Sequence, residues 1–165
     1  MGMRAAVSVA GLMTLLVGSA GAALAEARTN WDRAANIREA AHRLVGIQNE
    51  RGALGTYKFI GACYQTHMIA DVYTKALEAC IAQDYMLTQT MVLIYERLPA
   101  EKRREMGAAE PEALARGLSG RVGTALAQYK LTQAESDALR RLVETEGFPV
   151  FFKERFPKAA PKAAQ

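Results

Sequence analysis

The sequence predicts an all-α fold, a single-domain bundle of five or six helices in which a disulfide bond pins one helical hairpin. Apolar residues recur at three- and four-residue steps along most of the chain, the period of a helix with one buried face. The two-residue alternation of a strand is nearly absent. At 165 residues, of which 50% are hydrophobic and 23% charged, the chain is large enough for one hydrophobic core and is not of the disordered or collagen-like class.

The amino-terminal segment has the pattern of a secretory signal peptide. Arg4 is the only charged residue before Glu26, and a short apolar stretch spans 7–17. The segment closes with an A-x-A peptidase site ending at Ala25. An uncleaved membrane anchor is the alternative, because about 20 apolar residues can span a bilayer. The interspersed alanines and glycines lower the hydrophobicity, so we expect cleavage after Ala25, a periplasmic or secreted protein, and no transmembrane segment in the mature chain.

The charge distribution separates a neutral body from a basic end. We expect three parts: a signal peptide over 1–25, an all-helical domain over 26–156 and a flexible basic tail over 157–165. Residues 26–147 hold equal numbers of basic and acidic side chains, and the excess of the net +4 charge lies beyond them and at Arg4. A neutral body argues against nucleic acid as a partner, since that binding rests on a basic face.

Three helical segments are expected in the first half of the domain. Thr29 is placed to cap the first helix, and Gly52 interrupts its apolar pattern. A second apolar segment spans 56–70. The strongest helical periodicity spans 74–98, and Pro99 is expected to end this helix.

The next segments are a short helical turn closed by Gly107 and a longer helix that begins near Pro111. Three glycines lie at three-residue steps on the longer helix: Gly117, Gly120 and Gly123. Each costs about 1 kcal/mol relative to alanine inside a helix. We therefore expect them to permit a close helix–helix contact or, failing that, to break the helix.

Thr132 opens the last long helix with a capping box, whose second member is Glu135. Gly147 is expected to end this helix in a Schellman motif, with Phe148 contacting Val143. One or two further helical turns follow over 150–156.

The two cysteines predict a disulfide-pinned hairpin. Cys63 and Cys80 are the only cysteines in the chain, and export places them in an oxidising compartment. One continuous helix would hold their α-carbons about 25 Å apart, whereas a disulfide needs about 7 Å or less. A turn near Asp71, with Asp71 or Thr74 capping the second helix, brings the cysteines opposite each other. The alternative is a pair of buried free thiols in a cytosolic protein.

Four residues form the best candidate for a ligand or catalytic pocket: Tyr64, His67, Asp71 and Asp84. Asp71 follows His67 by four residues, so the two are expected on one helical face, and a carboxylate beside an imidazole can fix its tautomer. Asp84 lies in an apolar stripe, where burial requires a partner such as an arginine. A structural role for this group is the simpler interpretation, because no nucleophile accompanies it.

No cofactor or metal is expected from the sequence. The C-x-x-C-H, H-E-x-x-H and EF-hand patterns do not occur. His67 with Met68, Met86 and Met91 could supply soft ligands for copper or a b-type haem. Methionines at helical spacing more often fill a core. His42, the other histidine, is expected on a solvated helix flank.

The carboxyl-terminal segment 148–156 holds four of the five phenylalanines, interleaved with basic residues. One interpretation is a lid that closes the core, since aromatic side chains bury large areas. The other is an exposed aromatic and basic patch that contacts a partner or an anionic membrane surface. The residues of this possible contact are Phe151, Phe152, Lys153, Arg155 and Phe156.

The sequence thus favours an exported, non-catalytic helical protein that acts as a binding, chaperone-like or assembly-accessory module. Its partner would be an envelope protein or an anionic membrane surface. The alternative is a small-ligand carrier or enzyme with an interhelical pocket near His67 and Asp71. Whether the protein is an enzyme is left open, with the missing catalytic constellation favouring a non-enzyme.

Overall fold

The computed structural model describes residues 29–157, and within that range every regular element is a helix. The elements are α1 (Arg33–His67), α2 (Lys75–Glu96), α3 (Ala100–Glu105), α4 (Pro111–Gln128), α5 (Gln133–Leu142), a π-helical turn (Val143–Gly147) and α6 (Phe148–Arg155). The predicted all-α fold is confirmed. The expected signal peptide and residues 158–165 of the expected tail lie outside the described residues.

The first helix begins later than Thr29 predicted. Asp32 is the N-cap of α1, and its side chain accepts a hydrogen bond of 2.9 Å from the backbone N–H of Ala35. A carboxylate at this position satisfies one of the free N–H groups of the first turn, so the expected Thr29 cap is wrong. Gly52 kinks α1 with φ 64° and ψ −175°, a conformation that side-chain-bearing residues rarely adopt. The predicted interruption there is confirmed.

The hairpin between α1 and α2 forms as expected. Thr74 caps α2 by accepting a hydrogen bond from the backbone N–H of Leu77 at 3.1 Å. Cys63 and Cys80 are disulfide-bonded, with their α-carbons 5.8 Å apart. The bond therefore joins the end of α1 to the beginning of α2.

Helix α2 is the central element of the core. It packs against α1 on one side and α4 on another, while α6 and the π-helical turn close the space against α1. Its segment from Leu77 to Asp84 is buried all round, as a helix surrounded by neighbours must be. In the part of the chain that is described, no helix is both long and apolar enough to cross a membrane.

Gly147 has a different role from the one predicted. The predicted capping box of Thr132 and Glu135 is present. The helical path does not end at Gly147, however, because this residue keeps a right-handed helical conformation with φ −79° and ψ −57°. A β-carbon there would lie 3.0 Å from Ile37 Cγ2 and 3.0 Å from Met86 Sδ. The predicted Schellman motif is therefore wrong. The absence of a side chain at Gly147 instead lets Ile37 of α1 and Met86 of α2 pack closely against its backbone.

The glycines of α4 serve neither expected purpose. The helix runs unbroken from Pro111 to Gln128. A β-carbon on Gly120 or Gly123 would meet no atom within 4 Å, and one on Gly117 would meet only the Arg121 side chain of the same helix. The expected close contact and the expected break are therefore both wrong for the described residues.

Candidate functional site

Asp84 is buried and fully paired. Its side chain is 0% exposed and accepts two hydrogen bonds from Arg121, at 2.8 and 2.7 Å. The hydroxyls of Tyr64 and Thr88 donate two more, at 3.2 and 2.9 Å. Burial, followed by the charge of Asp84, raises the pKa of Tyr64 far above its usual range, so its hydroxyl stays protonated and donates. The expected arginine partner is confirmed. The network joins α2 to α4, and the hydrogen bonds of Asp84 are all made to protein side chains.

Glu78 is a second buried carboxylate, and it ties the beginning of α1, together with Trp31 just before it, to α2. Its oxygens accept hydrogen bonds from Trp31 Nε1 at 2.9 Å and Arg33 Nε at 2.6 Å. Asn36 donates a third at 3.2 Å, and Tyr73 a long one at 3.5 Å. Several donors around one buried charge offset its desolvation. The carboxylate of Glu78 thus finds its hydrogen-bond partners within the protein, and the cluster stabilises the fold.

The four pocket residues predicted from the sequence are not brought together. Helix α1 ends at His67, so Asp71 is no longer on the same helical face, and no hydrogen bond joins the two side chains in the described chain. Tyr64 and Asp84 belong to the buried network, whereas His67 lies beside the disulfide. Asp71 lines a separate, mostly apolar cavity of about 280 Å³, next to Tyr129.

The phenylalanine-rich segment divides between core and surface. Phe151 is 0% exposed and packs in the main core, so the expected surface contact cannot include it. Phe152 is 38% exposed and stacks on Phe148 with ring centroids 5.3 Å apart. Phe156 is half-buried beside it, at 6.0 Å. The lid interpretation therefore holds for Phe151, and the docking interpretation remains for its two neighbours.

Phe152 and Phe156 form one wall of a groove whose other wall is the carboxyl-terminal half of α2. The main part is a cavity of about 310 Å³, lined by Thr90, Leu93, Ile94, Arg97, Phe152 and Phe156. A smaller depression of about 160 Å³ shares three of these residues and extends to Gln48 and Arg155. We refer to the two together as the α2–α6 groove. Leu93 and Ile94 are 47% and 41% exposed, an uncommon placement for two adjacent large apolar side chains in a well-packed helix.

Two polar atoms in the smaller depression are buried without a hydrogen-bond partner in the described chain. They are Thr90 Oγ1 and Gln48 Oε1. Buried polar atoms in proteins are nearly always paired, and leaving one unpaired costs about 1–3 kcal/mol. The hydroxyl of Thr90 and the amide oxygen of Gln48 therefore have no protein partner in the described chain, and both are covered from solvent.

The rim of the groove is positively charged. Arg97 and Arg155 line it, and neither makes an ion pair within residues 29–157. Lys153 is exposed on the same helix as Arg155. The neighbouring acid, Glu154, is held by His42, whose Nδ1 lies 2.6 Å from Glu154 Oε1. The guanidinium of Arg155 lies 5.6 Å from the centroid of the Phe156 ring, and its charge, like that of Arg97, is not neutralised by an acid of the described chain.

The sequence predicted only one wall of this groove. That wall consists of Phe152 and Phe156, whereas the wall formed by Leu93, Ile94 and Arg97 was not predicted. The only sequence feature that points to this wall is the adjacent apolar pair Leu93 and Ile94, followed by Arg97. It could not be interpreted without knowing where α2 leaves the core.

No protein-family model, curated protein or solved structure matches this chain. The assignment of a function therefore rests on the geometry and chemistry of the groove.

Proposed function

We propose that the protein is an exported, non-catalytic binding module that holds an apolar segment of an envelope partner protein in the α2–α6 groove. The observation that carries the proposal is the combination, in one concavity, of exposed large apolar side chains with arginines that make no ion pair in the described chain. Apolar grooves with a few convergent polar groups are where proteins take up helices, side chains and small molecules.

The chemistry of the groove indicates an occupant that is apolar and acidic. Leu93, Ile94 and Phe152 offer the apolar contact, and burying them would gain about 25 cal/mol for each Å² removed from water. Arg97 and Arg155 at the rim favour a carboxylate beside the apolar side chain. An amphipathic helix or extended segment with an acidic flank meets both requirements.

A protein segment suits this site better than a membrane surface does. A helix that binds a membrane surface buries an exposed apolar face in the interface, whereas Phe152 and Phe156 line a concavity. The volume of about 310 Å³ is at the small end of the range for ligand sites and suits one or two large side chains.

The side chains present support a non-catalytic role. The described lining of the α2–α6 groove holds no carboxylate, histidine or thiol. Its polar groups are a hydroxyl, an amide and guanidinium groups, which bind and orient but do not pair a nucleophile with a base.

Export is supported by the signal-like amino terminus and by the disulfide. A bond between Cys63 and Cys80 is typical of oxidising compartments. The bond and the lack of a membrane-crossing helix among residues 29–157 are compatible with an exported protein.

Site-specific photocrosslinking in living cells tests the proposal. A photoreactive amino acid replaces Leu93 in the groove or, as a control, Ile69, which is 83% exposed in the hairpin turn. We expect a discrete protein adduct from position 93 that weakens when Arg97→Glu is added, and none from position 69. Equal adducts from both positions, or none from position 93, would contradict the proposal. Adducts with lipid would favour the membrane surface instead.

A small-ligand carrier is the second candidate, favoured by the apolar cavity beside Asp71. Tyr73 and Tyr129 line this cavity with their rings 5.9 Å apart. Native mass spectrometry of protein purified from the cell envelope would detect a retained small molecule. Loss of that molecule in Val72→Trp, which fills the cavity from its lining, would favour the carrier.

A further inference from the structure

Three metal-ligand side chains meet beside the hairpin disulfide. The sulfurs of Cys63 and Cys80 and one imidazole nitrogen of His67 all lie within 4.8 Å of one another. We propose that reduction of this disulfide creates a site for one thiophilic cation, such as Zn²⁺ or Cu⁺, with Cys63, Cys80 and His67 as its protein ligands. The proposal is independent of the α2–α6 groove.

The backbone already places the ligands at suitable positions. Cys63 and His67 are four residues apart in α1, on one helical face, and Cys80 faces them from α2 with a Cα–Cα distance of 5.8 Å to Cys63. Around a tetrahedral zinc ion, with Zn–S near 2.3 Å and Zn–N near 2.0 Å, ligand atoms lie about 3.5–4 Å apart. Side-chain rotations therefore suffice to convert the cluster into a metal site.

The imidazole of His67 is free to bind. Its ring makes no hydrogen bond within the described part of the chain, whereas the backbone that carries it is anchored. The hydroxyl of Tyr129 donates to the carbonyl oxygen of Ala70 at 3.0 Å and to that of His67 at 3.4 Å. A fixed backbone with an unpaired ring lowers the entropy lost when the ring binds a metal.

The reductant required is a dithiol. One of its thiolates attacks the sulfur of Cys63, the more exposed of the two cysteines, and Cys80 leaves as a thiolate. The second thiol of the reductant then resolves the mixed disulfide. In sum, the protein gains two electrons and two protons and the dithiol becomes a disulfide. Metal binding releases the two thiol protons and leaves the charge of the metal unchanged.

The oxidised and metal-bound forms exclude each other, because both use the same two sulfurs. Either one links α1 to α2 at the same point of the hairpin. With three protein ligands, the metal-bound form keeps a fourth coordination position for water or a ligand from another molecule.

Cobalt titration of the reduced full-length protein tests the site. Co²⁺ bound to thiolates gives a charge-transfer absorption, and Zn²⁺ should displace it at one ion per chain. We expect His67→Gln to weaken binding at least about tenfold. His42→Gln, which changes the only other histidine of the chain, should bind as the unaltered protein does. The oxidised protein should give no thiolate absorption.

Circular dichroism keeps the proposal testable if reduction unfolds the protein. In that case Zn²⁺ should restore the helical signal in the unaltered protein and in His42→Gln, but not in His67→Gln. Absence of a thiolate absorption together with no effect of Zn²⁺ on the helical signal would overturn the proposal. So would equal affinity in the two histidine variants.

Discussion

The guanidinium of Arg121 on α4 donates two hydrogen bonds, of 2.8 and 2.7 Å, to the carboxylate of Asp84 on α2. The acid is 0% exposed, whereas the arginine side chain is 42% exposed. The pair therefore joins two helices, and only its acidic member is fully removed from water. Removing the arginine would leave that charge buried with only the hydroxyls of Tyr64 and Thr88 as partners.

We expect Arg121→Met to lower the free energy of unfolding by about 2 kcal/mol. This is less than the 3–5 kcal/mol typical of a fully buried pair, since water screens the exposed side of the arginine. Urea denaturation measures the change. Arg116→Met, at an exposed position of the same helix, is the matched control and should change stability by about 0.5 kcal/mol or less. Similar losses in both variants would show that the pair does not stabilise the fold.

Gly147→Ala should destabilise the protein by about 1–3 kcal/mol. The added β-carbon would lie 3.0 Å from Ile37 Cγ2 and from Met86 Sδ, so one of these core side chains must move. Gly123→Ala adds the same methyl group where, apart from the adjacent helix backbone, no atom of residues 29–157 lies within 4 Å, and it should stabilise by about 0.4–1 kcal/mol. Thermal unfolding of the two variants compares them. A stabilising effect at position 147 would contradict the close packing found there.

Stability should fall above pH 10, and Tyr64 should account for part of the fall. An unfolded tyrosine loses its proton near pH 10, whereas burial and Asp84 raise the pKa of Tyr64 in the folded protein. The stabilising contribution is complete below pH 10 and declines as pH rises further, by up to about 1.4 kcal/mol per pH unit.

Tyr64→Phe should therefore reduce the slope of stability against pH in this alkaline range. Burial also raises the pKa of Tyr57 and Tyr85, so a slope remains in the variant. Denaturant unfolding at several pH values between 8 and 11 measures it. An unchanged slope would mean that Tyr64 titrates alike in the folded and unfolded states.

Ile94→Asp should abolish the binding of an apolar anion to the α2–α6 groove. The dye anilinonaphthalene sulfonate combines an aromatic surface with a negative charge, which matches the apolar walls and the arginines. We expect its fluorescence to rise with one saturable site in the unaltered protein and to be lost in Ile94→Asp.

Ile69→Asp serves as the control for this measurement, because Ile69 is 83% exposed and lies in the hairpin turn. It should retain the dye signal. Arg97→Gln should weaken the binding by about tenfold, the loss of one charge-assisted contact worth about 1.4 kcal/mol. A signal that persists in Ile94→Asp would place the apolar site elsewhere.

Much of the local structure could be predicted from short stretches of sequence. The capping box of Thr132, the ending of α2 before Pro99 and the disulfide between Cys63 and Cys80 follow from side-chain chemistry within one or two helical turns, or from the length of chain between two sulfurs. The apolar stripe likewise indicated that Asp84 needs a partner. These inferences needed no knowledge of how the helices pack.

The errors concern positions where a local pattern had more than one solution. Gly147 followed by Phe148 suits a helix stop, but contact with Ile37 makes it a site of close packing. His67 and Asp71 suit a shared helical face, but the helix ends between them. In each case packing against another helix, or the position of a helix end, decided the outcome.

The sequence by itself determined the helices, most of their ends and the cross-link of the hairpin, because periodicity, capping and chain length act over a few residues. Only the tertiary structure decided which apolar residues remain outside. Phe151 is buried and Phe152 is not, although they are adjacent and chemically identical. Likewise, Ile94 and Arg97 meet the end of α6 only because α2 leaves the core there. The candidate site is formed by residues distant in sequence, and their proximity is a property of packing.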